Sequence, residues 1–138
     1  MAADFKIIST GVNNRTMTLE KASATVIEAG DLVALDANGL AIKAVAASTQ
    51  LAFTPTWAGD GDTEIDVIVD DNLVLSGTGD ANFAESMRGT EVDLVGTTTQ
   101  LIDVWTSATD VLKILPSTDA GTVGATTDIR FTINKPLI

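Results

Sequence analysis

Apolar residues in this chain recur at every second position, in short stretches that turn signals interrupt. In Asp128-Ile129-Arg130-Phe131-Thr132-Ile133-Asn134, the residues Ile129, Phe131 and Ile133 fall on one side and polar residues on the other. Side chains alternate faces along a strand but return to one face every three or four residues along a helix, so this spacing selects a half-buried strand. Glu64 to Asp70 repeats the pattern, with Ile65, Val67 and Val69 inward and largely acidic neighbours outward. Glu91 to Val95 alternates as well, and Ile102 and Val104 alternate with Asp103 and Trp105. The run Val111 to Leu115 ends at Pro116, which has no N–H to give a ladder. Gly30 to Val45 reads as a β-hairpin, because Asn38-Gly39 can take the positive φ angles of a tight turn and apolar residues flank it. One short helix is expected. Asp80 or Asn82 would cap it, Phe83, Ala84, Met87 and Arg88 would lie along it, and Gly89 would stop it. The expected class is therefore all-β with one short helix, as a small barrel or sandwich.

The residue types present narrow the chemistry. The chain has 138 residues, 45% of them hydrophobic, which suits one domain with a real core. It contains no Cys and no His. Disulfides, thiolate nucleophiles, the Ser-His-Asp triad and histidine metal ligands all fall away together. No enzyme activity, cofactor or metal is expected. The formal net charge is −11, which repels nucleic-acid phosphates, so no nucleic acid is expected as a partner. No apolar run approaches the roughly 18–20 residues of a membrane span, so no membrane partner is expected either. The first residues, Met1 to Lys6, lack a basic stretch followed by an apolar one, and synthesis in the cytoplasm is the natural reading.

Charge is distributed unevenly. Between Ala44 and Met87 there is no Lys or Arg, while Asp60, Asp62, Glu64, Asp66, Asp70, Asp71, Asp80 and Glu85 all fall there. The leader instead holds Lys6, Arg15 and Lys21 against Asp4 and Glu20. Its apolar residues Phe5, Ile7, Ile8, Met17 and Leu19 show no sustained helical stripe or long alternation. Residues 1–23 are therefore expected to be an extended N-terminal arm, and residues 24–138 the β-domain.

Three local patterns invite chemistry. Asp60, Asp62, Glu64 and Asp66 stand at alternate positions, as oxygen ligands for a hard cation could. However, Ile65 occupies the slot where the calcium loop needs Gly, and a solvated acidic turn leading into a strand is the preferred reading. Gly77-x-Gly79 is followed by Asn82 where a dinucleotide fingerprint needs a third Gly. Trp57 and Trp105 could form a sugar-stacking platform, although core or interface anchors are preferred.

The order of elements resembles a family. A leader precedes Glu28-Ala29-Gly30-Asp31-Leu32-Val33-Ala34-Leu35 and the Asn38-Gly39 hairpin. Acidic central strands follow, then a short helix ending Arg88-Gly89, paired strands through Val111 to Leu115, and Ile129 to Asn134. This resembles the capsid decoration (cement) proteins of tailed bacteriophages, which sit outside heads whose major capsid protein has the HK97-type fold. The resemblance implies a β-barrel-like or β-tulip domain and a structural role on the outer virion surface. It also implies a homotrimer and an N-terminal arm that binds the major capsid protein. On that reading Phe5, Lys6, Ile7, Ile8, Arg15, Met17 and Leu19 are the capsid-binding residues. A carbohydrate-binding β-module or host-surface adhesion domain is the alternative, and a carboxylate-based hydrolase would need two acids facing across a cleft.

Overall fold

The computed structural model describes residues 4–9, 15–23, 25–59, 61–69, 72–96, 99–116 and 124–137. The chain is an all-β protein, built from two antiparallel sheets. Its strands are β1 (Lys6–Ser9), β2 (Thr16–Glu20), β3 (Leu32–Leu35), β4 (Ala41–Lys43), β5 (Ala52–Phe53) and β6 (Glu64–Ile68). They continue with β7 (Val74–Gly77), β8 (Glu91–Val95), β9 (Leu101–Asp103), β10 (Leu112–Ile114) and β11 (Ile129–Ile133). A six-stranded sheet runs in the order β1-β7-β11-β10-β8-β9, and a five-stranded sheet in the order β2-β6-β5-β3-β4.

The main core lies between the sheets. Leu75, Leu112, Ile129, Phe131 and Ile133 from the first sheet meet Leu32, Phe53 and Ile68 from the second in one buried cluster. A second cluster covers the other face of the five-stranded sheet. Val33, Ala52, Ile65, Val67 and Val69 lie there, with Met17 and Leu19 of β2 packed against them. Strand β3 is thus buried on both faces, which explains why Leu32-Val33-Ala34 is apolar without alternation.

The expected all-β class stands, and among the described residues no closed barrel is found. One parallel bridge crosses each sheet, from β9 back to the chain just past β7 in the first and between the two ends in the second. In the six-stranded sheet, Ile102 of β9 donates to Thr78 and accepts from Asp80, just past the end of β7. In the five-stranded sheet, Lys21 past β2 bridges Ala41 of β4, and the Ala22 N–H donates to the Ala41 carbonyl at 3.0 Å. One bridge is a stitch and not a strand pairing. Strand β1 lies outside both stitched sets.

Two local expectations also change. The helix through Phe83 to Arg88 is only a 3₁₀ turn, Glu85–Met87, that buries Met87. Phe83 is tied to a neighbouring loop, donating from its N–H to the Ala125 carbonyl and accepting from Gly124. Those bonds replace the helical ones that residues 80–84 would have made. The hairpin between β3 and β4 does form, but with a wider loop than a two-residue turn. Asp36 and Leu40 close it with a 2.8 Å backbone bond, and only Gly39 takes a positive φ, at 80°. The Asp36 carboxylate holds the loop by accepting from the N–H groups of Asn38 and Leu40. The strands expected around Ile65 and Phe131 form with the inward faces assigned to them, whereas in the strand around Val92 the expected alternation is broken by Asp93, which is buried with Val92 and Leu94.

Candidate functional site

The leader residues divide between the two sheets. Strand β1 pairs antiparallel with β7, Lys6 opposite Ser76 and Ile7 opposite Leu75, with a bulge between Ile7 and Ser9. Strand β2 pairs along its whole length with β6, from Thr16 opposite Ile68 to Glu20 opposite Glu64. Within the extended arm expected over residues 1–23, residues 6–9 and 16–20 are thus strands that pair with the chain's own sheets, while residues 1–3 and 10–14 lie outside the described residues. The reason is physical. Each segment meets a strand whose neighbouring edge is free, and backbone pairing there satisfies groups that would otherwise need water.

The seven residues assigned to capsid binding consequently serve different ends. Phe5 is 1% exposed, and its ring stands edge-on to Phe131 at 5.2 Å between centroids. Gly77 makes room for it, since a Cβ there would come within 2.3 Å of the Phe5 ring. Met17 and Leu19 are half-buried against the second core. Lys6, Ile7, Ile8 and Arg15 remain outside, and Ile7 and Ile8 are each 39% exposed. All four side chains of β1 face solvent. Among the described strands β1 pairs only with β7, so its other edge is open.

A polar clamp fixes the start of β1. The Asp4 carboxylate lies 3.2 Å from the Lys43 ammonium, which also lies 3.5 Å from Asp31. Asp4 accepts from the backbone of Gln100, and Phe5 donates to the Gly30 carbonyl. The buried Gln100 side chain in turn accepts from the Leu32 N–H and donates to the carbonyls of Leu32 and Ala44. Asp31 is 1% exposed, and burial pushes its carboxyl up to about 6, against the pull of the Glu28 N–H and the Lys43 charge.

Elsewhere one buried acid holds a loop. Asp93 is pushed up by burial but held below the usual carboxylate range by the N–H groups of Asp110, Thr109 and Ala108, which it accepts. Asp103 is raised by burial and by the neighbouring Asp80 carboxyl. The sequence drew attention to Asp60, Asp62, Glu64 and Asp66. Of these, Asp62 accepts from the Gly59 N–H, Asp66 accepts from the Thr18 hydroxyl, and Asp60 lies outside the described residues. Among the described residues no group of three or more His, Cys, Asp or Glu is placed to hold a metal ion. No helix among them is long and apolar enough to cross a membrane.

The tryptophans are the surprise of the surface. Of the expected roles as core or interface anchors, the core one fails, since Trp57 is 63% exposed and Trp105 is 67% exposed. They do not make a joint platform either, because they line separate clefts. Trp57 shares a cleft of about 390 Å³ with Thr18, Thr56, Glu64, Ile65 and Asp66. Trp105 borders a smaller one of about 180 Å³ with Ser86, Thr90, Glu91, Thr106 and Ser107 among its walls. Compared with known proteins, the chain matches no family model, no curated protein and no solved structure.

Proposed function

We propose that the chain is a structural virion protein that binds the outside of a tailed-phage capsid of the HK97-type fold and stabilises the head. The observation that carries this reading is β1. It is a strand outside both stitched sets, with an open edge and with Ile7 and Ile8 both exposed. Such an edge gains backbone hydrogen bonds from a foreign strand, while its side chains supply specificity. The acidic body would face solvent and keep particles apart. Several copies, assembled as a trimer, would multiply the weak hold of a single short strand through effective concentration.

The test is co-sedimentation with undecorated heads of the phage whose genome encodes the chain. The wild-type protein should pellet with the heads, and the double variant Ile7→Asp, Ile8→Asp should remain in the supernatant while staying folded. If the wild type fails to bind, the reading falls. If the double variant binds as tightly as the wild type, the contact lies away from β1. A second reading, a carbohydrate-binding module, draws on the hydroxyl-walled cleft beside Trp105. Glycan binding that Trp105→Ala abolishes would favour it.

A further inference from the structure

The cleft beside Trp57 has a wall, a floor and a charge. Its indole lies close over Gly59, where an added Cβ would come within 2.5 Å of the ring. One part of the ring system is therefore seated on backbone, while most of the side chain remains in solvent. The loop beneath is fixed by Thr54, whose hydroxyl reaches the carbonyls of Thr56 and Asp66 at 3.0 and 2.8 Å. Leaving a fixed indole in water forgoes the burial that usually orders such a side chain, and an occupant would restore it.

Strand alternation sets the charge. Glu64 and Asp66 point out of β6 on one face, while Ile65 and Val67 point into the core. On the neighbouring strand Glu20 stands directly opposite Glu64, and Thr18 stands opposite Asp66 and donates to it at 2.6 Å. Like charges directly opposite across a strand pair repel, so the Glu20–Glu64 pair costs stability in the unoccupied protein. None of the described residues lining the cleft is basic. An acidic ligand is excluded by the same charges.

We infer that this cleft binds an arginine side chain presented by a protein partner, its guanidinium plane stacked on Trp57 and its N–H groups donating to Glu64 and Asp66. Arginine fits on three counts. Its planar cation is attracted to the face of an indole, its fork matches carboxylates, and it is less strongly hydrated than an ammonium. Its charge also relieves the Glu20–Glu64 repulsion. The inference goes beyond the capsid reading and does not depend on it, since any protein with a protruding arginine would serve.

The chain has two tryptophans and no tyrosine, so the variant Trp105→Phe leaves Trp57 as the dominant fluorophore. Titrating it with N-acetyl-arginine amide should give a saturable change in Trp57 emission in the millimolar range. The response should weaken by about tenfold in Glu64→Gln/Asp66→Asn, as expected for two partly exposed charge contacts, and weaken in high salt. Those substitutions should leave the melting temperature unchanged or slightly raised, because they remove repulsion, so a lost response cannot be ascribed to unfolding. N-acetyl-lysine amide should bind more weakly, and methyl glucoside should give no saturable change. No saturable response to the arginine derivative would overturn the inference. So would a glucoside response that survives in the double variant, since the cleft would then be a sugar site.

Discussion

The two leader strands use similar residues for opposite purposes. Strand β2 lies against β6 over five residues, puts Met17 and Leu19 toward a core and is stitched onward to β4 through Lys21. Strand β1 shows all four of its side chains to solvent and hangs from β7 beside the Phe5 anchor. One strand completes a sheet, and the other presents an edge. The difference shows that an apolar residue near a chain terminus is not sufficient to identify a binding arm. What matters is whether the strand next to it leaves a side open.

Substitutions can break that contrast, and the largest effect is expected at the anchor. Phe5→Ala removes a fully buried ring from between Gly77 and Phe131 and should cost about 3–5 kcal/mol. Urea unfolding measures it, and a cost below about 1 kcal/mol would mean that β1 is not anchored as described. Next comes the clamp. The folded chain holds the Asp31 proton more tightly than an unfolded chain, whose carboxyl titrates near 3.8. The Asp31 contribution to stability is thus fully present below about pH 4 and is lost as pH rises through about 6. It is on the order of 2–3 kcal/mol. Acidifying from pH 7 to pH 5 should raise the melting temperature, and Asp31→Asn should flatten that rise. An identical slope in both proteins would show that Asp31 is not its source.

Strand β2 should respond more mildly. Leu19→Ala trims a half-buried side chain and should cost about 1 kcal/mol, well below the Phe5 change. Equal costs at the two sites would erase the distinction between anchor and cover. The smallest effect is expected on β1 itself, where Ile7→Asp and Ile8→Asp should each shift stability by no more than about 0.5 kcal/mol. A larger loss would place these side chains against a surface of the chain's own.

Much of the sheet content could be read from the sequence because alternation is a local property. Ile129 to Ile133 and Glu64 to Ile68 carry their inward and outward faces in the order of their residues. The leader was harder, because pairing partners are distant. Nothing near Lys6 announces that Ser76 lies opposite, and the one local clue in β2 is that Met17 and Leu19 stand two residues apart. The 3₁₀ turn was misjudged because caps and stop signals suit a single turn as well as a helix. Backbone bonds from Phe83 to a loop some forty residues later decided between them. The acids flanking Ile65 were legible as an outward face, but only the fold places Trp57 and Thr18 beside them.

The stitches limit how such a molecule can add to others. Growth of a fibre by sheet addition requires two compatible edges on every subunit, one to receive and one to offer. Here Ile102 ties down one end of the six-stranded sheet, Lys21 and Ala41 tie the ends of the other together, and among the described strands β1 alone lies outside these stitches. A unit with a single receptive strand has a valence of one along that direction. On the proposed reading such a unit would finish a foreign sheet without passing the addition on, so coverage would stop at one copy per docking strand, however concentrated the protein became.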